Sequence, residues 1–194
     1  MAGRSLTQAV ALVTLILSGC EEPKVDACPA GFRANPAHSE RLKALLQGTE
    51  AARLLSADAS VCFGPGPSAV TEDGVVLMES EEADEGAAAR LAHLLLHVVD
   101  GSPLNLSADG TCDELVDRAL RAEARAYALE LRLRDALRAG FSPYTDLERA
   151  FRDRGEEGIA DYLRSHPRGG PGIDGLGWAY RIRCAENRAK SAPR

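Results

Sequence analysis

The sequence predicts an α+β fold, mainly helical, in which a small sheet of two or three strands precedes a histidine-bearing helix and a long glutamate-bearing helix. Three observations predict it. Residues 87–101, AAARLAHLLLHVVDG, form an apolar run too long for one strand and stopped by a glycine, and they carry two of the four histidines, four positions apart. Thr111-x-x-Glu114 has capping-box spacing and opens a helix with Val116, Leu120, Tyr127 and Leu131 at helical intervals, ending at Gly140. Before both, residues 61–63 and 75–78 are short β-type runs, separated by Gly64-Pro65-Gly66-Pro67 and by the turn Glu72-Asp73-Gly74.

In chain order, the first element is a leader. Arg4 is followed by an apolar run over residues 6–17, broken only by Thr7, Gln8 and Thr14, and closed by Ser18-Gly19-Cys20. The run is shorter than the roughly 20 residues a spanning helix needs. Small residues ahead of a cysteine resemble the lipobox of bacterial lipoproteins. That resemblance implies a signal peptide over residues 1–19 and lipidation of Cys20 as the first mature residue. It also implies a cell-envelope location, anchored to a membrane on the exported side of the cytoplasmic membrane or at the outer membrane. Several acyl chains on Cys20 would anchor the protein stably, since one alone is marginal.

Residues 20–37, with Pro23, Pro29, Gly31 and Pro36, read as a tether, residues 38–187 as one globular domain and residues 188–194 as a flexible tail. A helix is expected from Ser39, its cap, with Leu42, Leu45, Leu46, Ala52, Leu54 and Leu55 on the apolar face and Gly48 weakening the middle. His38 reads as an exposed loop residue. The acidic run over residues 79–85 suits a solvated loop and the first turn of the histidine helix, with Asp84 as its cap. Thr145-x-x-Glu148 begins a further helix through Leu147 and Phe151; after a break at residues 155–158 it resumes with Ile159, Tyr162 and Leu163, and His166-Pro167 ends it. Residues 178–182 read as a last short strand or turn, with Trp178 and Tyr180 as core or as cover for a site.

Composition sets the outer bounds. At 45% hydrophobic but only 5% aromatic residues, the core must be built of Leu, Val and Ala, which favours helices. A net charge of -6 argues against a nucleic-acid partner, which needs a concentrated basic surface. With Cys20 lipidated, Cys28, Cys62, Cys112 and Cys184 remain, an even number without a C-x-x-C pair, so two disulfides in an oxidising compartment are expected. Nothing in the spacing selects among the three connectivities; the pairing adopted is Cys28–Cys62 with Cys112–Cys184.

His93 and His97 stand at i and i+4, on one helix face, where two imidazoles can share a metal; the other reading is a pair of buried histidines hydrogen-bonded within the fold. Glu123 interrupts the apolar stripe of the long helix. A carboxylate pointing inward costs several kcal/mol unless paired, and a metal or an arginine would be such a partner. Glu130 lies near the same face and could orient a histidine from behind.

The order of strand, His93-x-x-x-His97 helix and Glu123-bearing helix, over residues 60–135, resembles a minimal zincin metallopeptidase with a glutamate third ligand. The resemblance implies a zinc cofactor held by His93, His97 and Glu123. The family motif is His-Glu-x-x-His, and here Leu94 stands where that family has its general base. Without it, acid–base assistance of typically 10² to 10⁴-fold is missing, unless Glu130 or an acid of residues 79–85 substitutes. The function expected is therefore a lipid-anchored domain without peptidase activity that retains at most divalent metal or peptide binding. The alternative is a structural or interaction lipoprotein with no metal site.

Overall fold

The computed structural model describes residues 28–103, 105–106, 109–140, 145–165 and 172–191. The expected leader, Cys20, residues 21–27 of the expected tether and His166 lie outside the described residues.

The N-terminal part builds the sheet and its helical cover. Strand β1 (Arg33–Ala34) is followed by helix α1 (Pro36–Leu46), a 3-10 turn (Glu50–Ser56), and strands β2 (Val61–Gly64), β3 (Ala69–Val70) and β4 (Val76–Glu79). The sheet order is β1-β2-β4-β3, with β2 and β4 parallel in the centre and the two edge strands antiparallel to their neighbours. The sheet thus has four strands where two or three were expected. The additional strands are two residues long, too short to show an alternating pattern in the sequence.

Two helix starts also differ from expectation. Pro36 occupies the first turn of α1, where its missing N–H costs nothing, and the side chain of Asn35, not Ser39, caps the helix by accepting from the His38 N–H at 3.1 Å. The run expected as one helix divides near Gly48, after which Thr49 caps the separate 3-10 turn. His38 is not an exposed loop residue: its ring stacks on Phe63 and its Nε2 lies 3.1 Å from Asp84 Oδ1. Asp84 is already inside helix α2 (Asp84–Asp100), whose cap position is Ala83 and has no side-chain bond. The carboxylate serves His38 and Arg41 of α1 instead.

Helix α2 is buried almost all round from Gly86 to His97, which explains why its run is continuously apolar rather than striped. It ends at Gly101, whose φ of 96° is a conformation that side-chain-bearing residues rarely adopt. Helix α3 (Cys112–Ala136) opens with the full capping box: Thr111 Oγ1 accepts from the Glu114 N–H at 3.3 Å and Glu114 Oε2 accepts from the Thr111 N–H at 2.7 Å.

α3 is a wall shared by two cores. Ala126, Leu129 and Leu133 face α2, α1 and the sheet. Val116, Leu120 and Leu131 face helices α4 (Thr145–Ser165), which breaks at Gly155 as expected, and α5 (Leu176–Ser191). The segment expected as a strand or turn is therefore part of a helix. Trp178, Tyr180 and Ile182 alternate in the sequence, but the side chains that α5 buries are those of Tyr180 and Cys184, one helical turn apart. The helix continues through residues 188–191, the start of the expected flexible tail.

Both disulfides form with the adopted pairing, Cys28–Cys62 and Cys112–Cys184. The first ties the entry segment to β2, the second ties the start of α3 to α5. Two cross-links suit an oxidising, extracytoplasmic setting. Among the described residues no helix is long and apolar enough to cross a membrane.

Candidate metal centre

The sequence places His93 and His97 one turn apart on α2, and the packing of α2 against α3 brings Glu123 to both. His93 Nε2 lies 3.1 Å from His97 Nε2, and Glu123 Oε2 lies 3.5 Å from the first and 3.4 Å from the second. All three side chains are buried. The group could hold a metal ion, and its dimensions test the fit. A tetrahedral ion about 2.0 to 2.1 Å from nitrogen and oxygen donors sets those donors roughly 3.3 to 3.4 Å apart. The observed sides of 3.1, 3.4 and 3.5 Å bracket that value. The two distances to Glu123 exceed the usual hydrogen-bond range of about 2.7 to 3.2 Å, so they suit co-ligands better than bonded partners.

The ring behind the triangle is fixed by charge. His93 Nδ1 lies 3.0 Å from Glu130 Oε2, an ion-pair distance, and among the described residues neither atom has a hydrogen-bond partner of good geometry. Arg90 Nε donates to Glu130 Oε1 at 3.0 Å, and Arg134, bonded to Glu82 at 2.7 Å, approaches that same oxygen at 3.8 Å. Glu130 thus stands behind His93, as the sequence suggested, with its charge balanced by arginine. A carboxylate holding the Nδ1 side leaves Nε2 turned to the ligand position. The edge of the Tyr127 ring approach fixes the other direction: the two rings are 4.5 Å apart and nearly perpendicular.

On the remaining oxygen of Glu123 the structure places Tyr180, whose hydroxyl donates to Oε1 at 2.5 Å. The arginine expected as an alternative partner for Glu123 is instead the partner of Glu130.

These contacts set the proton affinities. Burial alone would raise the Glu123 carboxyl, but the imidazoles of His93 and His97 outweigh it and hold the group far below the usual carboxylate range. Burial lowers His93, yet Glu123 and Glu130 on its two sides raise it overall. Glu130 is lowered despite burial, by His93 and Arg90. Burial pushes the phenols of Tyr127 and Tyr180 well up, and the charge of Glu123 adds to it, so both keep their protons.

The triangle opens on a cavity of about 210 Å³ bounded by β3 on one side and α5 on the other. Leu94 lines it, as do Arg90, Tyr127 and Tyr180, and among the described lining residues Glu123 is the one carboxylate. The acids considered as substitutes for the missing base are elsewhere: Glu130 is fully buried behind His93, and Glu82, from the acidic run, is bonded to Arg134.

The sequence does not single out Arg90 as a site residue, and Tyr180 reads there as core or as cover for a site but not as the partner of Glu123. Arg90 left a trace, as the one charge inside an otherwise apolar helix and one turn before His93. Tyr180, 57 residues beyond Glu123, left none that would connect the two. No protein-family model, no curated protein and no solved structure matches the chain.

Proposed function

We propose that this chain is a lipid-anchored, exported domain of zincin-like build that holds zinc between His93, His97 and Glu123 and lacks peptidase activity. The observation that carries the reading is the donor triangle of 3.1, 3.4 and 3.5 Å, with Glu130 braced behind His93. Bound zinc would supply Lewis acidity toward a carbonyl or carboxylate oxygen of a ligand in the cavity. The chain's own residues then bind and orient rather than transfer protons. Leu94 contributes an apolar wall where a general base is needed, and Tyr127 and Tyr180 line the cavity as neutral phenols. Peptide binding is the retained role this arrangement supports, with edge strand β3 along one side of the cavity.

One observation favours a second reading. The 3.1 Å separation of the two Nε2 atoms is also a hydrogen bond, so the cluster can satisfy itself without an ion in a purely structural lipoprotein.

Metal analysis separates the two. The full chain, purified in detergent and dialysed against buffered zinc, is expected to hold one equivalent, and the His93→Ala and Glu123→Ala variants to lose it. A folded, zinc-free protein after the same treatment would leave the structural reading standing.

A further inference from the structure

Helix α5 has two apolar faces, and only one of them is used by the fold. Tyr180 and Cys184 are buried against α3. At 100° per residue, Trp178, Ile182, Ala185 and Ala189 fall together within an arc of about 60° on the opposite side. All four are exposed, and Trp178 at 48% and Ile182 at 42% are two of the three large hydrophobic side chains exposed among the described residues. Arg181 and Arg188 border this stripe on one side; on the other Glu186 borders it, with Lys190 and Arg183 beyond. The helix carries one acid, Glu186, in a chain whose net charge is -6. Arg183 is anchored to Glu72 and Arg188 to the Gly110 carbonyl, which fixes the helix with its stripe outward.

We propose that this outer face of α5 is a membrane-contact surface that lies on an anionic bilayer, with Trp178 and Ile182 in the interfacial layer and Arg181 and Lys190 on acidic headgroups. Charge and size select this occupant. An apolar stripe with arginines along one edge, on a helix with four cations to one acid in an otherwise acidic protein, complements a negative surface. Two large side chains and two alanines are far short of the roughly 800 Å² per partner that a stable protein interface buries. A tryptophan at the edge of an amphipathic helix suits the headgroup level. The inference does not rest on the metal reading; lipidation of Cys20 would supply the bilayer at close range, and the face would then set how the domain sits on it. The mouth of the metal-site cavity has α5 as one wall, so such seating would also orient that opening relative to the membrane.

Trp178 is the chain's only tryptophan, so its emission reports this face without labelling. The full chain is reconstituted into vesicles of phosphatidylcholine alone or with a third phosphatidylglycerol, each with and without brominated acyl chains. Docking predicts a blue-shifted emission quenched by the brominated lipid in the anionic vesicles and restored by high salt. Arg181→Ala should lower the docked-to-undocked ratio roughly fivefold, the effect of one charge near such a surface. Ile182→Ser should lower it further with thermal unfolding unchanged. Unquenched emission from protein demonstrably bound to anionic vesicles overturns the proposal. So does equal quenching in neutral vesicles, or a blue shift without lipid that grows with protein concentration, which would assign the face to a second copy of the chain.

Discussion

The Tyr180 hydroxyl donates to Glu123 Oε1 at 2.5 Å while Glu123 Oε2 faces the two histidines. One oxygen is thereby held by the protein and the other is turned to the ligand position. The phenol comes from α5, which the Cys112–Cys184 disulfide ties to the start of α3 four residues beyond Tyr180. The proposed third ligand is therefore oriented by a helix outside the strand, histidine helix and glutamate helix that suggested the site.

Removing that hydroxyl should loosen Glu123 without emptying the core. Tyr180→Phe is expected to weaken zinc binding about 10 to 100-fold, the usual effect of losing a group that orients a ligand. Competition with a chromogenic chelator measures it; unchanged affinity would mean that packing alone orients the carboxylate.

Leu94 lines the cavity beside both histidines, so Leu94→Glu places a carboxylate where a base would act. The variant is expected to gain zinc-dependent hydrolysis of a fluorogenic peptide, above the parent by about 10² to 10⁴-fold if the new group reaches the attacking water. A variant that binds zinc and cleaves nothing would show that the cavity does not present a peptide bond to the ion.

Glu130 is fully buried between His93 and Arg90, and Glu130→Ala removes the carboxylate that faces both, leaving the buried imidazole without its counter-charge. Urea unfolding should report a loss of about 3 to 5 kcal/mol. Glu130→Gln keeps the shape and an acceptor, so it should fold better than the alanine variant while binding zinc less tightly than the parent.

The proton affinities predict how zinc and pH trade places. His93 is raised in the folded protein, so its charged form stabilises the metal-free fold fully below the unfolded value of about 6.5, and this is lost as pH rises through the folded value. Glu123 and Glu130 are lowered, so their contribution is present above about 4.3 and lost as pH falls through their folded values. Zinc needs the neutral imidazole. The rise in Tm on adding zinc should therefore grow from about pH 5 to about pH 8. A rise that is flat across that range would remove His93 from the ligand set.

The histidine helix, the capping box at Thr111 and the break at Gly155 were legible because each is a local signal: an apolar run, a fixed spacing and a glycine with φ of 62°. Glu123 was legible as a charge in a stripe that should be apolar. The edge strands were not, since a two-residue strand is defined by its neighbour and not by its own pattern. The face of α5 was hidden because two of its sides carry apolar residues, which blurs the helical period into something like a strand's alternation. The cap of α1 was misplaced by four residues because Ser39 and Asn35 are both good cap residues, and Pro36 decides in favour of the earlier one.

The two cross-links enclose residues 28–62 and 112–184 and do not interlock. With Cys20 lipidated, as proposed, a chain oxidised from its N-terminal end onward would meet each cysteine's native partner as the next one to appear. Cys28 and Cys62 are spent before Cys112 arrives. Order of emergence alone would then yield the native connectivity, without reshuffling by an isomerase.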